Sequence, residues 1–197
     1  MPEEEPLTII GIAEMTAGEL LAALNRDLID VGITVDGEEI DGFVREEVWS
    51  ERPVLALPRH HPLLAFDRVP FKEALRYPLI LCHPDKCAGG YKLFQQAHKA
   101  SGLPPPTIAD YISGHEQMLM LVATGCGVWF GLESQVTNYN FPDIIIRPVT
   151  EEIEDASTYL VTSGLPNPPE LERFIKRARK IGGKAKPKDD GAAMPAG

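Results

Sequence analysis

"MTAGELLAALNRDLIDVGIT", residues 15–34, places a capped helix directly before a short β-branched run. Thr16 and Glu19 have the S/T-x-x-E spacing in which a hydroxyl and a carboxylate satisfy donors left open by the first helical turn. Leu20, Leu21 and Leu24 follow as an apolar stripe at helical spacing. Asn25, Arg26 and Asp27 interrupt it, and Ile29, Val31 and Ile33 then read as a strand. A helix-turn-strand step of this kind belongs to an open α/β sheet, where ligands bind beyond the carboxyl ends of the strands.

The rest of the chain repeats this grammar. Residues 7–12 read as a strand entering the first helix, and residues 48–58, rich in Val, Leu and Trp, as another. "YPLILCH" (77–83) is a buried-strand pattern, and "PDKCAGGY" turns it into a helix carrying Tyr91, Phe94 and Ala97. Three consecutive prolines, 104–106, forbid helix and lead into a strand over 108–112. Ser113 and Glu116 repeat the capping-box spacing, and the helix they open carries Met118, Leu119, Leu121 and Val122 and stops at Gly125. "GVWFG" and residues 144–149 and 158–162 read as strands. A last helix from about Pro168 is capped by Asn167 and Glu170 and buries Leu171, Phe174, Ala178 and Ile181. Residues 183–197 read as a disordered tail.

The 197 residues can bury a substantial core, and 44% hydrophobic with 24% charged residues is ordinary for a globular protein. A net charge of −10 argues against direct nucleic-acid binding by this chain, since such affinity is largely counterion release from a basic surface. No signal-like segment and no membrane-length apolar run occur, so the expected location is cytoplasmic, without membrane association. Cys82, Cys87 and Cys126 are odd in number and lack a framework spacing, which favours free thiols.

Five stretches together resemble the effector-binding domain of LysR-type transcriptional regulators: "MTAGELLAALNRDLIDVGIT", "ERPVLALPRHHPLL", "YPLILCHP", "LMLVATGCGVWFGLES" and "PPELERFIKRAR". They occur in the family's order from about residue 7 to residue 181. The resemblance implies a type 2 periplasmic-binding-protein-like α/β fold, with subdomain I over 7–76 and 133–181, subdomain II over 77–132, and a ligand cleft between them. It also implies a small-molecule effector, with carboxylates among the groups it could carry, and a homodimer whose domains pair antiparallel. Leu20, Leu21 and Leu24 are the apolar side expected to serve that pairing. The family's helix-turn-helix has no counterpart in this sequence, and neither do the first strand and helix of its effector domain. The first sheet is therefore expected to carry a gap or to re-pair.

By the same resemblance, ligand-binding candidates are Thr16, Ser113, Gly114 and His115 at helix N-termini, where free N–H groups and the helix dipole favour anions. Pro84, Lys86, Cys87, Ala88 and Gly89 follow at the cleft rim, with Gly131 and Leu132 at the crossing between subdomains. Thr16 and Ser113 serve equally well as caps alone. Val35 stands where some members place a carboxylate-binding arginine. "CHPDKCAGG" gathers thiols, an imidazole and a lysine, but no second ligand pair accompanies it, and no metal or cofactor is expected. No nucleophile with a positioned base is legible, so no catalytic residue is assigned, although a small α/β enzyme using the 82–89 loop is the alternative from another class. An exposed Cys87 beside Lys86 also fits a thiol sensor. His60 and His61 are adjacent on an extended segment and point to opposite sides, so they read as surface residues.

Overall fold

A computed structural model describes residues 9–35, 39–139, 141–151 and 153–182. Its larger body is a five-stranded sheet in the order β5-β4-β6-β3-β7, made of β3 (Pro53–Pro58), β4 (Leu79–Cys82), β5 (Ile108–Ile112), β6 (Val128–Leu132) and β7 (Ile144–Pro148). β4 runs parallel to both β5 and β6, whereas β3 lies antiparallel between β6 and β7. Period-two alternation divides its side chains between two covering layers. Leu55, Leu57, Leu79, Leu81, Val128, Phe130 and Leu132 pack towards α3 (Ala88–Ser101), which contributes Leu93, Phe94 and Ala97. Ala56, Ile80, Cys82 and Trp129 face α4 (His115–Ala123), which contributes Met118, Leu119 and Val122. Every residue of β4 and β6 is buried, as strands covered on both faces require.

The smaller body is an antiparallel sheet, β1-β8-β2, of β1 (Gly32–Thr34), β8 (Ala156–Thr162) and β2 (Val44–Glu51). α6 (Pro169–Gly182) covers one face, where Leu171 and Ile175 meet Val48 and Leu160. α1 (Ala17–Asn25) packs by Leu20 against Gly32, where a Cβ would lie 2.6 Å from a Leu20 methyl. Two connections join the bodies, one through Arg52 and one through residues 149–155. Val35, Ile153 and Ala156 pack against the larger core, and Glu51 accepts hydrogen bonds from the Ser134 N–H (3.0 Å) and Oγ (2.5 Å) at the start of the short α5 (Ser134–Thr137).

Several expectations change at this level. Residues 9–12 form no strand, and Ile9 and Ile12 are fully exposed, while residues 7 and 8 lie outside the described residues. The apolar run 48–58 is two strands in two sheets, because Arg52 carries the chain from one body to the other. β3 and β7 consequently belong to the five-stranded sheet, and the expected divisions at 76/77 and 132/133 fall inside that body. Among the described residues β1 pairs with β8 alone.

Helix ends and faces also differ in detail. Leu24 is only 1% exposed, so it is core and not part of an open pairing face. Gly114, not Ser113, is the N-cap of α4, and no side chain caps it. Gly125 does close the turn after α4, at φ 78°, where glycine is favoured. Asn167 makes its hydrogen bond to Glu172 and not to the helix end. Ile175 replaces Ile181 in the buried stripe of α6, and Ile181 is 67% exposed. The tail 183–197 lies outside the described residues.

Candidate functional site at three helix N-termini

Parallel β4 and β5 end side by side, each delivering a loop and then a helix on the same edge of the sheet. His83 N–H donates to the Ile112 carbonyl at 2.7 Å, which ties the two loops together. His83 Nδ1 then accepts from the N–H groups of Asp85 (3.2 Å) and Lys86 (3.4 Å), curling residues 83–86 into a compact turn. Pro84 and Lys86 are exposed on its outside. Cys87 is the N-cap residue of α3, with Ala88 and Gly89 in its first turn. Its thiol donates to the Ser113 carbonyl at 3.5 Å, so the N-termini of α3 and α4 are neighbours. Ser113, Gly114 and His115 are all half-buried beside it, and the His115 ring lies 6.3 Å from that of Tyr139.

The third N-terminus belongs to α1. The charge of Glu14, two residues before Thr16, acts on Cys87 and opposes its ionisation. Thr16 forms the full capping box. Its Oγ1 donates to Glu19 Oε2 at 2.7 Å and accepts from the Glu19 N–H at 3.3 Å, while its own N–H donates to Glu19 Oε2 at 2.9 Å. The Glu19 carboxyl is held below its ordinary range by these bonds, first of all the Thr16 N–H. Both the hydroxyl and the nearest N–H are thus already occupied at α1, whereas no side chain caps α3 or α4.

Gly131 and Leu132 end β6, which runs parallel to β4 and finishes on the same carboxyl edge of the sheet. A Cβ at Gly131 would fall 2.0 Å from the Trp129 ring, so glycine is required there for core packing. The Leu132 side chain is in the core, and its N–H donates to Gln135 Oε1 at 3.1 Å. Glu14 is the neighbour that sequence reading missed. Its only signal was its position just upstream of the capped helix.

The thiols differ sharply. Cys87 is held down to about 7, chiefly by the neighbouring Cys82 thiol, with burial and Glu14 opposing and the His83 backbone and Lys86 assisting. Cys82, buried at the end of β4, is pushed well above the usual thiol range by that same contact and by desolvation. Among the described residues there is no group of three or more His, Cys, Asp or Glu placed to hold a metal. His61 does not reach for one. It accepts from the Leu63 N–H at 3.2 Å and stacks edge-on against Tyr77, and its burial lowers its pKa.

Two depressions lie elsewhere. One of about 390 Å³, lined by residues 58–62, 123–125 and 143, opens at the far end of α4 from its N-terminus. A shallow apolar one of about 40 Å³ lies between α1 and the small sheet. No helix among the described residues is long and apolar enough to cross a membrane.

Two α/β bodies joined by two connections, with helix N-termini gathered at the carboxyl ends of parallel strands, define the type 2 periplasmic-binding-protein-like class. Residues 3–181 match the LysR substrate binding domain, and the chain belongs to that family, the ligand-sensing regulatory domain of LysR-type transcriptional regulators. The fold aligns with the effector binding domain of BenM solved with its effector benzoate (TM-score 0.81, 16% identity, covering 100% of this chain and 88% of that one). It aligns also with the effector binding domain of QuiR in complex with shikimate (0.72, 19%, 86% and 79%). A full-length BenM E226K mutant aligns at 0.80 with 17% identity over 95% of this chain, which spans 63% of that one. No curated protein sequence matches the chain.

Proposed function

We propose that the chain senses a small monocarboxylate seated where the N-termini of α3 and α4 meet, and that it has no catalytic role. The observation that carries this is the adjacency of two helix N-termini without side-chain caps, tied together by the bond from Cys87 to the Ser113 carbonyl. Open N–H groups and two aligned dipoles suit an anion there. Benzoate and shikimate, the ligands of the BenM and QuiR domains, are both monocarboxylates, which supports the class of ligand. The charge of Glu14, which acts on Cys87, disfavours a second negative charge and favours a ligand with one charged end and a neutral body. Within this reading Ala88, Gly89, Gly114 and His115 offer backbone donors, Ser113 a hydroxyl, and Lys86 a nearby cation. Thr16 acts through its cap, while Pro84 and Cys87 shape the rim. Gly131 and Leu132 support the strand from within the core.

A DNA-reading part of the regulator would couple this occupancy to transcription, and with a net charge of −10 these residues are not themselves expected to grip nucleic acid. Self-association into a dimer fits the exposed Ile33 on β1, Val44 on β2 and Ile40 in the connection between them. Calorimetric titration with a panel of monocarboxylates tests the site. Ser113→Glu places a carboxylate at the α4 N-terminus and is expected to weaken binding at least about tenfold, or ~1.4 kcal/mol, with an unchanged thermal melt. His60→Ala, at the distant depression, should leave affinity unchanged. Equal affinity in the Ser113 variant would refute the placement.

A further inference from the structure

We propose that Cys82 and Cys87 are a reversible dithiol/disulfide pair, a modification site for hydroperoxides set into the rim of the ligand cleft. The pairing rests on how α3 meets β4. Cys82 ends β4 on the face that α4 covers, and a Cβ at Gly90 would fall 2.4 Å from the Cys82 Sγ, so only glycine lets the first turn of α3 lie directly on that sulfur. Position 87 is three residues before Gly90 and therefore shares its side of the helix. Cys87 accordingly packs against the same cluster as Cys82. The two thiols thus meet at one cluster, on either side of the curled 83–86 turn that separates them along the chain.

The two sulfurs have complementary chemistry. Cys87 is partly accessible and, with a pKa held near 7, is substantially thiolate at neutral pH, while Cys82 is shielded and protonated. The groups facing Cys87 are Cys82, the His83 backbone and Lys86 from its own loop, the Ser113 carbonyl from the α4 loop and Glu14 from the α1 approach. In the first step the Cys87 sulfur attacks one peroxide oxygen and the O–O bond breaks. The other oxygen leaves, takes up a proton and departs as an alcohol or water, and Cys87 becomes a sulfenic acid. In the second step the Cys82 sulfur attacks the Cys87 sulfur, the S–S bond forms, and the hydroxyl leaves with the Cys82 proton as water. The two thiols together supply the two electrons that reduce the peroxide. In its thiol form Cys87 donates to the Ser113 carbonyl, and the disulfide has no S–H with which to do so, so oxidation removes the contact that joins the two helix N-termini.

Trypsin provides a direct test, because cleavage after Arg76, Lys86 and Lys92 puts Cys82 on peptide 77–86 and Cys87 on peptide 87–92. The full chain is treated with hydrogen peroxide, its remaining thiols are blocked with iodoacetamide under denaturing conditions, and it is digested without reductant. The expected result is a disulfide-linked 77–86/87–92 pair from protein that runs as a monomer on a non-reducing gel. Cys126 should be alkylated throughout, and dithiothreitol should restore both thiols. In Cys82→Ala the Cys87 peptide should instead gain oxygens as sulfinic or sulfonic acid. Iodoacetamide labelling of Cys87 in the native chain should rise with a midpoint near pH 7. Unlinked peptides after full oxidation of Cys87, linkage through Cys126, or linkage between two chains would each overturn the proposal.

Discussion

Thr16 shows how much a single residue can specify and where its reading stops. Its spacing to Glu19 identified the capping box, and every bond of that box is present. The spacing could not say whether the hydroxyl remained available to a ligand, because that depends on where the Glu19 carboxylate points. Thr16→Ala should cost about 1 kcal/mol of stability, as lost helix caps do, measured by thermal unfolding. The pH dependence has a definite sign. Glu19 has a folded pKa below its ordinary 4.5, so its stabilising contribution is present above that value and is lost as the pH falls through the lower folded value. Glu19→Gln should therefore be less stable than the unmutated chain at neutral pH, and the difference should vanish on acidification below 4.5. A difference that persisted in acid would show that the carboxylate's charge is not what the box uses. The Cys82–Cys87 contact was legible only as two cysteines in one loop. Their approach depends on Gly90 and on the angle at which α3 leaves β4, and neither has a signature in the sequence.

Elements were legible where an apolar run or a helical stripe was unbroken. The strands in "YPLILCH" and "GVWFG" show as continuous apolar runs because both their faces are covered, and α3 and α4 follow the helical period. The run 48–58 read as one strand because Val48 and Trp49 lie just ahead of the apolar 53–57, and apolarity does not record which sheet receives a strand, although Ser50, Glu51 and Arg52 mark the break. α6 is the instructive case. From Leu171, positions 174, 175, 178 and 182 return to one side at 3.6 residues per turn, while 181 drifts off it. Gly182 completes the buried side, where a Cβ would fall 1.7 Å from the Val48 carbonyl oxygen. Ile175→Ala should destabilise the protein by about 2–4 kcal/mol, and Ile181→Ala should stay within about 0.5 kcal/mol of the unmutated protein. Denaturant titration of the two variants separates them, and equal losses would contradict this placement of the helix.

At the scale of the whole molecule, the family order of five motifs carried the fold, and no single motif did. The boundaries between the bodies were not legible, since the two connections, at Arg52 and residues 149–155, are short and of ordinary composition. The small sheet leaves Ile33 on β1 and Val44 on β2, its two outer strands, half-exposed together with Ile40, and this favours a covering copy of the same chain. Because such an interface is self-complementary, one substitution alters both halves. Sedimentation should give a mass near twice 21.6 kDa, and Val44→Glu should reduce it to the single-chain value. A monomer at about tens of micromolar, where weak interfaces dissociate, would remove the dimer from the account. The central claim concerns the cleft, and the direct measurement is amide chemical-shift mapping during titration with benzoate, shikimate and further monocarboxylates. Saturable shifts are expected at Ala88, Gly89, Ser113, Gly114 and His115, with little change at His60 or Gly125. No saturable shift with any member of the panel, or shifts concentrated around His60, Gly125 and Asp143, would contradict a carboxylate-sensing site at the helix N-termini.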